Sequence, residues 1–451
     1  MEASEQTVRQ DDQDHVFHSW SAQRNLNSLP VAGAEGCHFW DYQGNRYLDF
    51  ASQLVFANLG HQHPALVAAI KEQAERLCTV GPSFANAARG ELARLIAERA
   101  PGDLNHVFFT NGGTEANEHA IRMARLHTGR FKVLSAYRSY HGATGASITA
   151  TGEPRRWGSE PGMAGIVHFL GPYLYRSSFH ATSEDEEARF ALEHLRQIVE
   201  FEGPHTVAAI MLETVVGTNG VLLPPAGYLA GVRALCDEFG IAMICDEVMV
   251  GFGRIGEWFA VNAWGVTPDL ITFAKGVNSG YVPLGGVVIS ERVRESFMDR
   301  PYPGGLTYSG HPLACAAGVA SIRVFEESGV LEHVRDLGER VVRPALDAIA
   351  ETHPSVGEVR GRGLMWAIEL VRDRSSKEML VPFNAAGEAG EPMSRLANRC
   401  RELGVWPFTH FNRLHVAPPL VIGEQELRQG LEWIDQALEV ADSYVGPQRM
   451  S

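Results

Sequence analysis

Cysteine is scarce in this chain and never patterned. Its six cysteines, Cys37, Cys78, Cys236, Cys245, Cys315 and Cys400, form no Cys-x-x-Cys pair, which argues against a zinc site or a thioredoxin-like redox pair. Several stand in apolar stretches such as Leu313-Ala314-Cys315-Ala316-Ala317 and read as buried thiols. Basic residues are also short: 39 Lys and Arg against 54 Asp and Glu give a formal charge of -15. That is the wrong sign for a nucleic-acid backbone or an anionic membrane as the main partner. No apolar run reaches the roughly 18 to 20 residues that a bilayer span requires. Met1 to Asp14 is polar and acidic with no apolar core, unlike a signal peptide; a flexible tail over 1–15 and a cytoplasmic protein are expected. No Gly-x-Ser-x-Gly elbow is present, which removes the support for a serine hydrolase. His61-Gln62-His63 has no third ligand at metal spacing, so no metal site is expected.

With 451 residues, 45% of them hydrophobic, the chain can bury a large core in one major domain with a smaller one attached. Trp40 to Asp49 alternates around a Gly44-Asn45 turn as a hairpin does. Between about Val107 and Val288, short apolar runs alternate with amphipathic ones. That order predicts a largely parallel sheet covered by helices on both faces, with ligands outside the carboxyl ends of its strands. From about Pro312 onward the chain reads as helical and then mixed, and Arg374 to Pro392 reads as a surface loop.

Thr110, Glu213, Asp246 and Lys275 all stand at predicted strand ends. Ile241 to Cys245 runs into Asp246-Glu247, and Leu270 to Ala274 ends in Lys275. A buried carboxylate is costly unless paired, and opposite a pyridinium it keeps that nitrogen protonated. An amine in an apolar pocket loses basicity and can form a Schiff base. The plain alternative is a buried Asp–Lys ion pair with no cofactor. Asn111-Gly112-Gly113-Thr114 opens a helix after a strand, where free N–H groups and the helix dipole suit a phosphate. Thr114 as a simple helix cap is the competing reading. Tyr140-His141-Gly142 could stack on a flat heterocycle or be ordinary loop surface. Gly251-Phe252-Gly253-Arg254-Ile255-Gly256 matches a dinucleotide fingerprint literally, but Asp246-Glu247 interrupts the strand and no good helix follows; it reads as a chance match.

Taken in order, Gly113-Thr114-Glu115-Ala116-Asn117, Tyr140-His141-Gly142, Glu213, Cys245-Asp246-Glu247-Val248, Ala274-Lys275-Gly276 and Thr307-Tyr308-Ser309-Gly310-His311-Pro312 resemble the class III pyridoxal-phosphate aminotransferases, the ω-aminotransferase group. The resemblance runs from about Trp20 onward. It implies the fold type I architecture: a large α/β domain over 76–325 with a mainly parallel seven-stranded sheet, and a small α+β domain built from 16–75 and 326–451. It implies pyridoxal 5'-phosphate as cofactor, with Lys275 carrying the internal aldimine and performing the 1,3-proton transfer. Asp246 pairs with the pyridine nitrogen, Tyr140 and Val248 flank the ring, and Glu213 supports the ring side near Asp246. Gly113 and Thr114 hold the phosphate, and His141 belongs to the same cofactor set. Thr307 reaches the phosphate of the neighbouring subunit's cofactor, which implies a homodimer with shared active sites, alone or within a tetramer.

The 4-aminobutyrate branch carries two arginines and a glutamate where this chain has Ala143, His415 and Thr218, so that carboxylate clamp is missing. Arg413 is the candidate acid-binding group in its place. Trp20, Val55, Phe56, Phe84 and Trp157 fall near the substrate entrance. The general texture is similar to the branch that uses taurine, β-alanine or related ω-amino acids with pyruvate or 2-oxoglutarate. The expectation is a ping-pong transaminase; the alternatives are an aminomutase or decarboxylating enzyme of the same fold and, more distantly, an NAD-dependent oxidoreductase.

Overall fold

A computed structural model describes residues 4–446 of the chain; 1–3 and 447–451, the outer ends of the expected tail and small domain, lie outside the described residues. Seven strands form the central sheet, in the order Leu104–Thr110, Gly285–Ser290, Leu270–Phe273, Ala242–Asp246, Val207–Glu213, Lys132–Ala136, Ile166–Phe169. Gly285–Ser290 runs antiparallel to both its neighbours and every other pairing is parallel. Strands so placed need apolar residues on both faces. In Val207–Glu213, Ala209 and Met211 pack with the helix Gly113–Thr128, while Ile210 and Leu212 meet Glu184–Glu202 and Tyr228–Phe239 on the other side. Parallel pairing brings the carboxyl ends of these strands to one edge: Glu213 stands beside Asp246, and Asp246 beside Thr272.

The chain ends meet in smaller sheets. His38–Asp41 and Arg46–Asp49 form the expected hairpin, and Val405–Trp406 from the far end of the sequence adds parallel to Arg46–Asp49. Asp41 fixes the turn by accepting from the amides of Gln43 and Asn45, while Gly44 supplies a φ of +84°. Val356–Arg362, Met365–Asp373, Arg413–Val416 and Phe408–His410 make the second of these sheets. Together with the helices Val330–Leu337, Arg343–Thr352, Glu391–Leu403 and Glu424–Asp442, they enclose a separate core. Arg254 ties this unit to the large sheet: fully buried, it donates to Pro418 O and to Asn58 Oδ1 at 2.8 Å.

Three local expectations change. Residues 5–15, expected as tail, form the helix Glu5–His15, because Ser4 caps the Thr7 amide and Glu5 pairs with Arg9 one turn on. Polar except for Val8, it buries none of its residues, and the absence of an apolar stripe hid it from periodicity. Within 374–392, Glu378–Met379 adds a short edge strand to Met365–Asp373. Cys78 is exposed, unlike the other five cysteines.

Candidate active site

A cavity of about 310 Å³ opens at the carboxyl edge of the sheet. It is lined by Gly113, Thr114, Tyr140, His141, Glu213, Asp246, Val248 and Lys275 among others, so eight positions scattered over 163 residues of sequence converge on one space. A second cavity of about 860 Å³ shares Tyr140, Thr218, Met249 and Lys275 with the first and adds Trp20, Val55, Arg155, Phe408, His410 and Phe411. Lys275 lies on the boundary between them.

Asp246 is 4% exposed and held by three donors. Its Oδ2 accepts from His141 Nδ1 and from Asn117 Nδ2, both at 2.7 Å, and its Oδ1 accepts from the Val248 amide at 3.0 Å. Two donors saturate Oδ2, so the remaining lone pair is on Oδ1. Glu213 is also buried; its oxygens accept from the Tyr140 amide at 2.9 Å and the Gly217 amide at 2.7 Å. Burial, with the Asp246 charge adding to it against the His141 charge and the two amides, raises its carboxyl from 4.5 to about 7. Glu213 thus joins two backbone segments that wall the cavities.

Lys275 follows the strand Leu270–Phe273 and takes φ +46°, a left-handed conformation that a non-glycine residue adopts at a cost of order 1–3 kcal/mol. Burial lowers its amine from 10.5 to about 8, against the opposing pull of Asp246 and Glu213. At pH 7 about a tenth of the population is then unprotonated and nucleophilic, far more than an amine with the ordinary value would supply.

The helix Gly113–Thr128 begins without a side-chain cap. Thr114 does not cap it; its hydroxyl instead accepts weakly from the Ala143 amide at 3.4 Å and lines the cavity. Gly113 is required by space, since a Cβ there would stand 2.7 Å from Val248 Cγ1. Backbone N–H groups at this end of the helix, with the Thr114 hydroxyl, make a phosphate-sized cradle.

Trp20, Val55 and Phe56 line the cavities as expected. Phe84 and Thr307 do not: both are exposed and line neither space. Trp157 is also exposed. Arg413 departs most from its expected role. It is 1% exposed, lines neither cavity and lies behind Phe411, its Nε 3.6 Å from Glu369, a carboxylate that also binds Arg176, Arg360 and Tyr173. Arg413 sits in a central strand, whose pairing with Met365–Asp373 sets it opposite Glu369 and turns it inward, so it is not the acid-binding group of the cavity.

Arg155 occupies the place in the cavity that Arg413 does not. Its guanidinium stacks on Tyr140 at 3.8 Å and faces Trp20 at 5.4 Å, and Nε is held by the buried Glu153. Nη2 is buried with no protein partner. No sequence period marks this residue; the only signal was its place in Gly152-Glu153-Pro154-Arg155 after the Tyr140 loop. The glycines of Gly251 to Gly256 serve packing: a Cβ on Gly253 would press 2.6 Å from Phe325, and a 3-10 turn at Ala260–Trp264 follows in place of a helix.

The aminotransferase class-III family model matches residues 20–438. Among solved structures, the taurine:2-oxoglutarate aminotransferase of Bifidobacterium kashiwanohense, in complex with pyridoxal phosphate and glutamate, is 42% identical, with a TM-score of 0.95 over 98% of this chain and 99% of that one. The 4-aminobutyrate aminotransferase of Escherichia coli (strain K12) is 36% identical over 90% of this chain and 93% of its own length. The taurine–pyruvate aminotransferase of Bilophila wadsworthia is 30% identical over 96% of this chain and 97% of its own.

Proposed function

The chain belongs to the class III aminotransferases, pyridoxal-phosphate enzymes of fold type I, and from that premise we propose that it transfers an amino group from an ω-amino acid of the taurine or β-alanine type to pyruvate or 2-oxoglutarate. The observation that carries this reading is Arg155, a guanidinium with a free buried N–H in the cavity that Lys275 shares. It can bind the acid group that a taurine-type donor and a 2-oxo acid both present. The missing 4-aminobutyrate clamp and the two taurine aminotransferases among the relatives support the same choice.

The residues present suit pyridoxal phosphate. Gly113, Thr114 and the amides beside them would hold its phosphate, Asp246 its ring nitrogen, Tyr140 and Val248 its two faces, and Lys275 its aldehyde; His141 and Glu213 brace Asp246 and Tyr140. When bound, the group supplies an aldehyde that captures an amine and a ring that accepts the electron pair freed at the neighbouring carbon. The chain supplies the rest. Lys275 Nζ, its proton affinity lowered to about 8 by burial, takes and returns the proton of each half-reaction. Arg155 fixes the acid group of the donor and then that of the acceptor, so that one cavity serves both halves of a ping-pong cycle. Trp20 and Phe411 close the apolar walls around the intervening carbons.

Replacing Arg155 with Leu should raise KM for pyruvate or 2-oxoglutarate and for the acidic donor by about tenfold to a hundredfold, the worth of a charge-assisted hydrogen bond. A simple amine lacking an acid group should be spared. Equal losses for acidic and neutral donors would show that Arg155 does not read the acid.

A further inference from the structure

Asn117 lies in the second turn of the helix Gly113–Thr128 and is 1% exposed. One side of its amide faces two acceptors, Asp246 Oδ2 at 2.7 Å and the carbonyl oxygen of His141 at 2.6 Å. Only the NH₂ group can satisfy both. Oδ1 must therefore face Thr272, and the Thr272 hydroxyl, fully buried on the strand beside Asp246, must donate to it at 2.7 Å. The bonds run one way, from Thr272 through Asn117 to Asp246. Turning the amide over would set its carbonyl against a carboxylate and a second carbonyl. The two acceptors at the NH₂ side fix that orientation, and the Thr272 hydroxyl supplies the donor that the buried Oδ1 then needs, which holds the Asn117 side chain in place against Asp246.

From this arrangement we infer that Thr272 and Asn117 are positioning residues for the cofactor's ring nitrogen, locking the Asp246 carboxylate so that Oδ1 faces the cavity. The inference rests on the assignment of Asp246 to that nitrogen. Asn117 lines the cofactor cavity and Thr272 does not. Thr272 acts through Asn117, and Asn117 through Asp246.

The test compares holoenzymes loaded with pyridoxal phosphate or with its 1-deaza analogue, which keeps the aldehyde and phosphate and replaces the ring nitrogen by carbon. Release of each cofactor on dilution is followed by its absorption. Thr272→Val keeps the side-chain shape and removes the donor; it should release pyridoxal phosphate about tenfold faster than the wild type and the analogue at the wild-type rate. Thr272→Ser, which restores the donor, should restore retention. Asn117→Ala should show the same selectivity, which keeps the test open if Thr272→Val does not fold. If Thr272→Val and Asn117→Ala speed the loss of both cofactors equally, or of neither, the positioning role is wrong. An Asp246→Asn control separates the two levels. Should it fail to distinguish the cofactors, the assignment of Asp246 falls; should it distinguish them while Thr272→Val does not, only the role of Thr272 and Asn117 falls.

Discussion

Lys275 combines a strained backbone, a lowered proton affinity and a place on the wall between two cavities. A lysine kept for packing needs none of the three. Between about pH 8 and 10.5 the unfolded chain holds a proton that the folded site has given up, so stability rises with pH across that window; below about 8 both states hold the proton and the burial penalty of this group is constant. The neutral amine is also the form that attacks an aldehyde. Uptake of pyridoxal phosphate by cofactor-free enzyme should therefore quicken as pH rises and level off above about 8, and Lys275→Ala should abolish turnover and leave cofactor that borohydride cannot fix to the protein. A rate that does not rise as pH approaches about 8 from below, or normal turnover by the variant, would remove Lys275 from its role. At this scale, Asp246 and Lys275 were legible because each ends an apolar run with an ionisable group. Arg155 and Asn117 were not. Their significance comes from what lies across the cavity or across a strand, and neither spacing nor composition encodes that.

The site is built by three kinds of element, and the sequence resolves them unequally. Fully apolar strands of Val207–Glu213 type stand out, and alternation with amphipathic helices gave their parallel order. The glycine-rich turn into Gly113–Thr128 was equally visible, but its reason was not: the helix has no side-chain cap, and Gly113 is small because Val248 crosses it at close range. Gly113→Val should push Val248 toward the ring space, at an overpacking cost of about 1–3 kcal/mol. The expected outcome is about tenfold weaker retention of pyridoxal phosphate with little change in melting temperature once the cofactor is removed. An equal drop in both would place the defect in the fold. Arg413 shows the opposite failure, since its place beside His415 made it the candidate acid-binding group while strand pairing buries it against Glu369.

In the whole molecule, sequence ends that are far apart share one sheet through Arg46–Asp49 and Val405–Trp406, a pairing that local patterns cannot announce. Phe84, Thr307 and Tyr308 remain exposed away from both cavities of the same chain. We propose that they complete the site of a second copy. Light scattering should give at least twice the mass of one chain, and mixing Lys275→Ala subunits with Thr307→Ala subunits should give activity different from the mean of the parents; a monomer with full activity would refute the shared site. No helix among the described residues is long and apolar enough to cross a membrane.

The most direct test of the transaminase reading follows the visible absorption of the bound cofactor when taurine or β-alanine is added without an acceptor. The account predicts that the band bleaches in a single turnover and that pyruvate or 2-oxoglutarate restores it, with the amino group recovered on the 2-oxo acid. A band that no ω-amino acid bleaches would contradict it, as would a turnover that needs no 2-oxo acid and yields an isomerised or decarboxylated product.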